Sequence, residues 1–334
     1  MGYTPSPSSY ILELAQSNIA NRSTYNKFGV NKDIDTGSTP EDVWEAEGEY
    51  TGFNATSGEA IGIRATGTGA GNNTGSVLSS GTATGGSLTT LVDTGASFGS
   101  DGVSIGDLII NDTQSSHGIV TAITTTTLTV LRMSNDTANS TDAYRIATST
   151  STGAAVVKVR KALESDYANY INEYVVLNGS TEVDTVGTDF IRCSRGVVVL
   201  SGSSGGVESV LEARQTTTTS NVFWTITEGH NQTLVACDTI PACCTLYAND
   251  IRCRMARANG SAGSAEIEFF VRDYGEGFVS KIHEYISTSE GFKTEPETYM
   301  LKINSYADIK WRVHDVSDNN SQFSAQINGT LITN

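Results

Sequence analysis

No run of about 18 apolar residues occurs in the sequence, so no membrane-spanning helix is expected. Positive charge is scarce too. Against 37 Asp and Glu stand 21 Lys and Arg, for a formal net charge of −16. An acidic surface repels phosphate backbones, so nucleic acid is not an expected partner. The opening Met1-Gly2-Tyr3-Thr4-Pro5 has no basic region followed by an apolar core and does not read as a secretory signal. Gly2 with Ser6 fits an acylation motif in form alone. Cysteine is sparse and odd in number: Cys193, Cys237, Cys243, Cys244 and Cys253. Two are adjacent, so a disulfide framework is not expected. Without a Cys-x-x-Cys pair or a histidine cluster, neither is zinc. The cysteines are expected as small apolar residues buried on strands.

What is present points one way. Hydrophobic residues make up 38% and charged residues 17%, both below the usual globular share, and Thr, Ser, Asn and Gly fill the difference. Threonine is β-branched and suits half-exposed strand surface, while Ser, Asn and Gly suit turns. An all-β chain of short strands and polar turns is expected.

Residues 1–50 read as an N-terminal arm. Pro5 and Pro7 precede a short helical pattern from Ile11 to Ala20, with Leu12, Ala15 and Ile19 on one face and Ser8 or Ser9 as cap. Phe28, Trp44 and Tyr50 are large apolar anchors in this polar segment, and such anchors need a surface: the chain's own core or a neighbouring subunit. A strand is expected around Ala60–Arg64, then a flexible Gly-, Thr- and Asn-rich linker over 65–84. Residues 85–148 hold five short strands at regular spacing: Ser87–Val92, Asp107–Ile110, Gly118–Ile123, Thr127–Leu131 and Ala143–Ile146. This predicts a small barrel or sandwich. Further strands are expected at Ala154–Val159, Tyr174–Leu177, Gly196–Leu200, Ser209–Ala213, Thr233–Cys237, Ala265–Val271 and Ile309–Val313. Their alternation and number predict a jelly-roll-like β-sandwich over 51–84 and 149–334. The 85–148 module is then an insertion in one of its loops, which requires that its ends lie close together.

Tyr25–Thr36 with Pro40-Glu41-Asp42-Val43-Trp44 resembles the opening of structural proteins of tailed, especially marine, bacteriophages. Asn231–Leu234 running through to Thr239-Ile240-Pro241-Ala242 is a second similar stretch. Glu268–Arg272 followed by Val279–Glu284 is a third. The 85–148 module also resembles small β modules inserted in phage tail and surface proteins. The chain departs from the pattern at Pro241-Ala242-Cys243-Cys244, where a Gly-Lys turn is expected. The resemblance implies a virion structural protein.

Reactive constellations are weighed against blander readings. Gly202-Ser203-Ser204-Gly205-Gly206 has the form Gly-x-Ser-x-Gly, but its flanks are strand-like and a nucleophile elbow needs a helix after it. Asp33, Asp35 and Thr36 offer oxygens to calcium but lack a loop with six to eight ligands. His117, His230, His283 and His314 are scattered, and His314 lies beside Asp315. Glu266 and Glu268 share a strand face, the pattern of a solvated surface rather than of a glycosidase pair. Asn-x-Ser/Thr triplets, as at Asn21, Asn54, Asn139 and Asn328, follow from composition.

The expectation is a non-enzymatic virion protein, without cofactor or metal, made in the bacterial cytoplasm. It decorates or stabilises the phage capsid as a homo-oligomer, a trimer, in contact with other virion proteins such as the major capsid protein. The interface residues are Leu12, Ile19, Phe28, Trp44 and Tyr50. The alternative is a tail or receptor-binding fibre component, with the inserted module facing the host.

Overall fold

The computed structural model describes residues 20–36, 40–134, 138–257, 262–289, 291–293 and 300–333. Among them the chain is all-β, apart from short 3-10 turns at Thr51–Phe53 and Ala70–Asn72. The strands pair antiparallel in five sheets. Strand Ser264–Arg272 shows why the alternation was readable. Ala265, Ile267, Phe269 and Val271 point into a core, while Glu266, Glu268, Phe270 and Arg272 point away.

The sheets form three units, nested one inside another. The outer unit sets two five-stranded sheets on either side of one core. The first sheet runs Arg22–Ile34, Ser321–Thr333, Cys244–Arg257, with Phe292–Lys293 and Leu301–Ile303 beside the last. The second runs Cys237–Thr239, Asp308–Val316, Ser264–Arg272, Val279–Ser287, with Glu41–Asp42 also on Asp308–Val316. Leu246, Ile251, Phe269, Trp311, Phe323 and Ile327 lie between them.

The middle unit packs the sheet Asp166–Val176, Ala154–Leu163, Phe190–Ser201 against Val183–Asp184, Ile61–Thr66, Val210–Gln215, Val222–Ile226. Its core includes Ile61, Ile63, Val157, Leu211, Phe223 and Trp224. The inner unit is a seven-stranded sheet, residues 75–149, curled around Leu91, Phe98, Ile109, Val120, Leu128 and Tyr144.

At each nesting the chain leaves and returns at one place. Trp44 bridges Val235, and the Ala236 N–H bonds the Val43 carbonyl at 2.9 Å. Gly75 pairs with Ser149, and the Thr150 N–H bonds the Thr74 carbonyl at 3.2 Å. Adjacent ends let each unit close its core without straining the one that holds it.

Three expectations are corrected. Residues 22–34 are not an arm: they pair from Arg22↔Ile332 to Ile34↔Ser321 and bury Tyr25, Lys27 and Asn31. The expected helix at 11–20 lies, but for its last residue, outside the described residues. Residues 65–84 are not a linker. Gly75–Thr82 pairs with Ala143–Ser149 and opens the inner unit, ten residues earlier than the composition suggested. The glycine there serves close approach, since a Cβ on Gly75 would lie 2.8 Å from the Ala155 carbonyl oxygen. Finally, 51–84 with 149–334 is not one sandwich: the strands after residue 236 close a separate core with residues 25–43.

Candidate functional site

Of the five expected interface residues, Leu12 and Ile19 lie outside the described residues. Trp44 and Tyr50 are turned inward, at 3% and 4% exposure, in the core of the middle unit. Their rings meet edge-on at 5.1 Å, and Tyr50 meets Phe53 at 4.8 Å. Their partner surface is the chain itself, so neither is available as an outward anchor.

Phe28 is placed differently. It sits half-buried on the outward face of the first outer sheet, because Lys27 and Gly29 on either side point inward. Across the strands it faces Gln326, which faces Arg252; Val30 faces Ser324, which faces Arg254. Together these six side chains line a hollow of about 310 Å³. Arg252 is held by Asp250 through two contacts, at 2.6 and 2.7 Å. The middle strand gives the hollow a polar floor, Ser324 and Gln326, with Phe28 and Val30 along one side and Arg252 and Arg254 along the other.

Sequence reasoning missed the seam between the outer and middle units, which is built of buried charge. Asp238 accepts from Tyr25 Oη at 2.9 Å, Arg160 Nη2 at 3.0 Å and Tyr170 Oη at 3.3 Å. Burial alone would raise its carboxyl pKa, but Lys27 and Arg160 outweigh burial and hold it below the usual carboxylate value. The Lys27 ammonium donates to the Ser194 carbonyl at 2.7 Å. Burial pushes its pKa down to about 8, against the pull of Asp238.

A second pole is Asp308, which accepts from Arg192 at 3.3 Å, Arg272 at 2.5 Å and the Thr239 hydroxyl. The Phe53 ring lies 5.5 Å from one guanidinium and 5.6 Å from the other. A third is Asp42, bonded by Lys310 at 3.1 Å, Arg312 at 2.8 Å and the Tyr50 N–H at 2.8 Å. The signal was present in charged residues inside apolar runs, as in Ala236-Cys237-Asp238-Thr239-Ile240 and Asp308-Ile309-Lys310-Trp311-Arg312-Val313.

Between the middle and inner units lies a cleft of about 890 Å³, whose walls include Val77, Asp112, Arg145, Lys161, Ile171 and Val186. Arg145 is clamped to Asp112 at 2.7 and 2.8 Å, and Lys161 to Glu173. With these four charges paired, the cleft presents the exposed apolar Val77, Ile171 and Val186 beside the exposed Asp184.

The reactive candidates are committed elsewhere. Ser204 lies in a loop between two strands, and its hydroxyl donates to the Thr152 carbonyl at 2.7 Å. His230 Nδ1 is 2.9 Å from Glu45 and 3.1 Å from the Thr227 hydroxyl. A hydrolytic triad uses opposite ring nitrogens for acid and hydroxyl; here both share one. His117 Nδ1 meets the Tyr174 hydroxyl at 2.9 Å. His283 Nε2 is 2.7 Å from Glu266, and His314 pairs with Glu268 rather than with its neighbour Asp315. Asp35 accepts the Asn320 N–H at 2.9 Å. Among the described residues, no three His, Cys, Asp or Glu side chains gather at metal-binding geometry.

Cys193, Cys237 and Cys253 are buried thiols; burial pushes Cys193 and Cys253 up to about 12. Cys243 and Cys244 depart from the expectation, being joined as a vicinal disulfide where the chain turns into strand Cys244–Arg257. Comparison with family models, curated proteins and solved structures found no match.

Proposed function

We propose that the chain is a non-enzymatic structural subunit on the outer surface of a tailed-phage particle, decorating or stabilising the capsid. One observation supports this above others. The stretches resembling phage structural proteins, Tyr25–Thr36, Pro40–Trp44, Asn231–Ala242, Glu268–Arg272 and Val279–Glu284, are dispersed in sequence. Most of their residues come together in the outer unit, which carries the Phe28 hollow, while Trp44 and Asn231–Val235 lie in the adjoining middle unit.

In this reading the outer unit is a jelly-roll-like sandwich and the inner one a small barrel-like domain. The protein is made in the bacterial cytoplasm and incorporated in the virion. Copies assemble as a homotrimer and touch the major capsid protein through the Phe28 face. A second reading, a tail or receptor-binding fibre component, is favoured by the apolar tips of the inner unit. Ile105 is 70% exposed and Leu131 84%.

Immunogold labelling of purified particles tests both. Gold over heads is expected, gold at the tail tip selects the second reading, and particles without label overturn both. Deleting residues 1–45 is a poor test, because it removes a full strand of the outer unit. Phe28→Asp is the better variant, expected to keep the fold and lose attachment to undecorated heads.

A further inference from the structure

Two turns of the outer unit and one hairpin of the middle unit meet at a small pocket. Among the described residues its walls are Glu164, Ser165, Tyr274 and Tyr306, around about 240 Å³. Tyr274 stands in the turn between Ser264–Arg272 and Val279–Ser287 and is 72% exposed. Tyr306 stands in the turn between Leu301–Ile303 and Asp308–Val316. The two rings lie 6.0 Å apart and are tilted by 54°, so they form a corner rather than a stack. Glu164 and Ser165 make the turn between Ala154–Leu163 and Asp166–Val176, and the Gly58 N–H fixes the Glu164 carboxylate by donating to Oε2 at 2.7 Å.

The backbone at Tyr306 is strained. Its φ of +64° lies in the left-handed region, which a bulky side chain rarely adopts and a glycine takes freely. The Tyr306 N–H holds it there by donating to the Ile240 carbonyl at 3.0 Å. The Asn304 side-chain amide donates to Asp273 at 3.2 Å and so ties the two tyrosine turns together. Strain of this kind gathers at ligand clamps, and here it sets one ring beside a second, exposed one.

We propose that this pocket binds a neutral saccharide, one pyranose ring at a time. The electron-rich faces of the tyrosines take the C–H face of the sugar, and the Glu164 carboxylate and Ser165 hydroxyl take its hydroxyl groups. Other ligand classes fit less well. An anion would meet Glu164 in a chain whose net charge is −16. A wholly apolar ligand would strip water from the carboxylate and return no hydrogen bond. A quaternary ammonium is held where rings enclose it, and two tilted rings, one of them 72% exposed, leave it open to water. A sugar ring needs an apolar face with an acceptor beside it, which is what these four residues present. The buried charges at Asp238 and Asp308 hold the two units together, so the walls contributed by each are set before a ligand arrives. The pocket belongs to a single chain and stands whether or not that chain is carried on a particle.

Saturation-transfer NMR on the full chain tests this with the methyl pyranosides of glucose, galactose, mannose and N-acetylglucosamine. At least one is expected to bind saturably, with transfer strongest to the C–H protons of one ring face. Tyr274→Ala should weaken that binding about tenfold or more, while Tyr274→Phe, which keeps the ring, should bind nearly as wild type does. Tyr306→Gly should also lose about tenfold or more, yet its melting temperature should not fall, because glycine accepts the left-handed backbone. Circular dichroism confirms that the variants fold. Absence of transfer to all four sugars would overturn the proposal, as would sugar binding that Tyr274→Ala and Tyr306→Gly leave unchanged. Tetramethylammonium is the counter-probe: if it binds, Tyr274→Ala abolishes that binding and no sugar binds, the pocket is a cation site and the proposal fails.

Discussion

Two seams hold the three nested units together, and they do so by opposite means. The outer and middle units meet through Asp42, Asp238 and Asp308, none more than 4% exposed, each tied to two cationic side chains or to a cation and two tyrosines. The middle and inner units meet through Leu108, Ile110, Ala147, Val156 and Tyr174 in a small apolar cluster. An apolar seam is non-directional and depends on buried area. A charged seam tolerates only one arrangement, because a displaced partner leaves an ion buried alone. The contrast suggests a fixed angle at the first junction and a more forgiving one at the second.

That contrast can be broken experimentally. Asp308→Ala is expected to cost the most, about 3–5 kcal/mol in urea unfolding, because Arg192 and Arg272 lose their shared carboxylate. A loss below about 1 kcal/mol would mean that the charges are incidental. Leu108→Ala, at 0% exposure, should cost about 3 kcal/mol through lost burial and a cavity. That loss should be insensitive to pH and salt; hydrogen exchange should localise it to the inner unit, with protection of the outer one unchanged.

The third test sharpens the first. The folded pKa of Lys27 is about 8, below its ordinary 10.5. Between these values the unfolded chain holds more protons, so this group makes stability rise with pH across that window. Wild type should therefore gain on the order of 2 kcal/mol relative to Lys27→Met from pH 8 to 10.5. Parallel stability curves for the two proteins would show that Lys27 is not held as the seam requires.

Much of the strand pattern was legible in the sequence. Ala265–Val271, Ile309–Val313 and the inner strands near Ile109, Val120 and Leu128 stand where alternation put them. Period-2 patterning reports which way a side chain points, but not what lies on either side. Glu266 and Glu268 face outward and partly exposed, as read. Asp308 and Lys310 show the same alternation and lie buried, because another unit covers their end of the sheet. Partner choice was equally hidden. Nothing local to Arg22–Ile34 says that its neighbour is Ser321–Thr333, so an edge strand of the outer unit read as an arm and the anchors Trp44 and Tyr50 as free. Phe28 was found for its size, and the arginines beside it were not, because they come from a strand more than 200 residues away.

Nesting also fixes an order of completion during synthesis. The ribosome releases the inner sheet whole once residue 149 has emerged, and the middle one near residue 235. Strand Arg22–Ile34, made first, waits with its edge unsatisfied until Ser321–Thr333 arrives to lie between it and Cys244–Arg257. A chain stalled a dozen residues short would thus hold two finished units and one unzipped sheet, the species most apt to pair with another nascent chain.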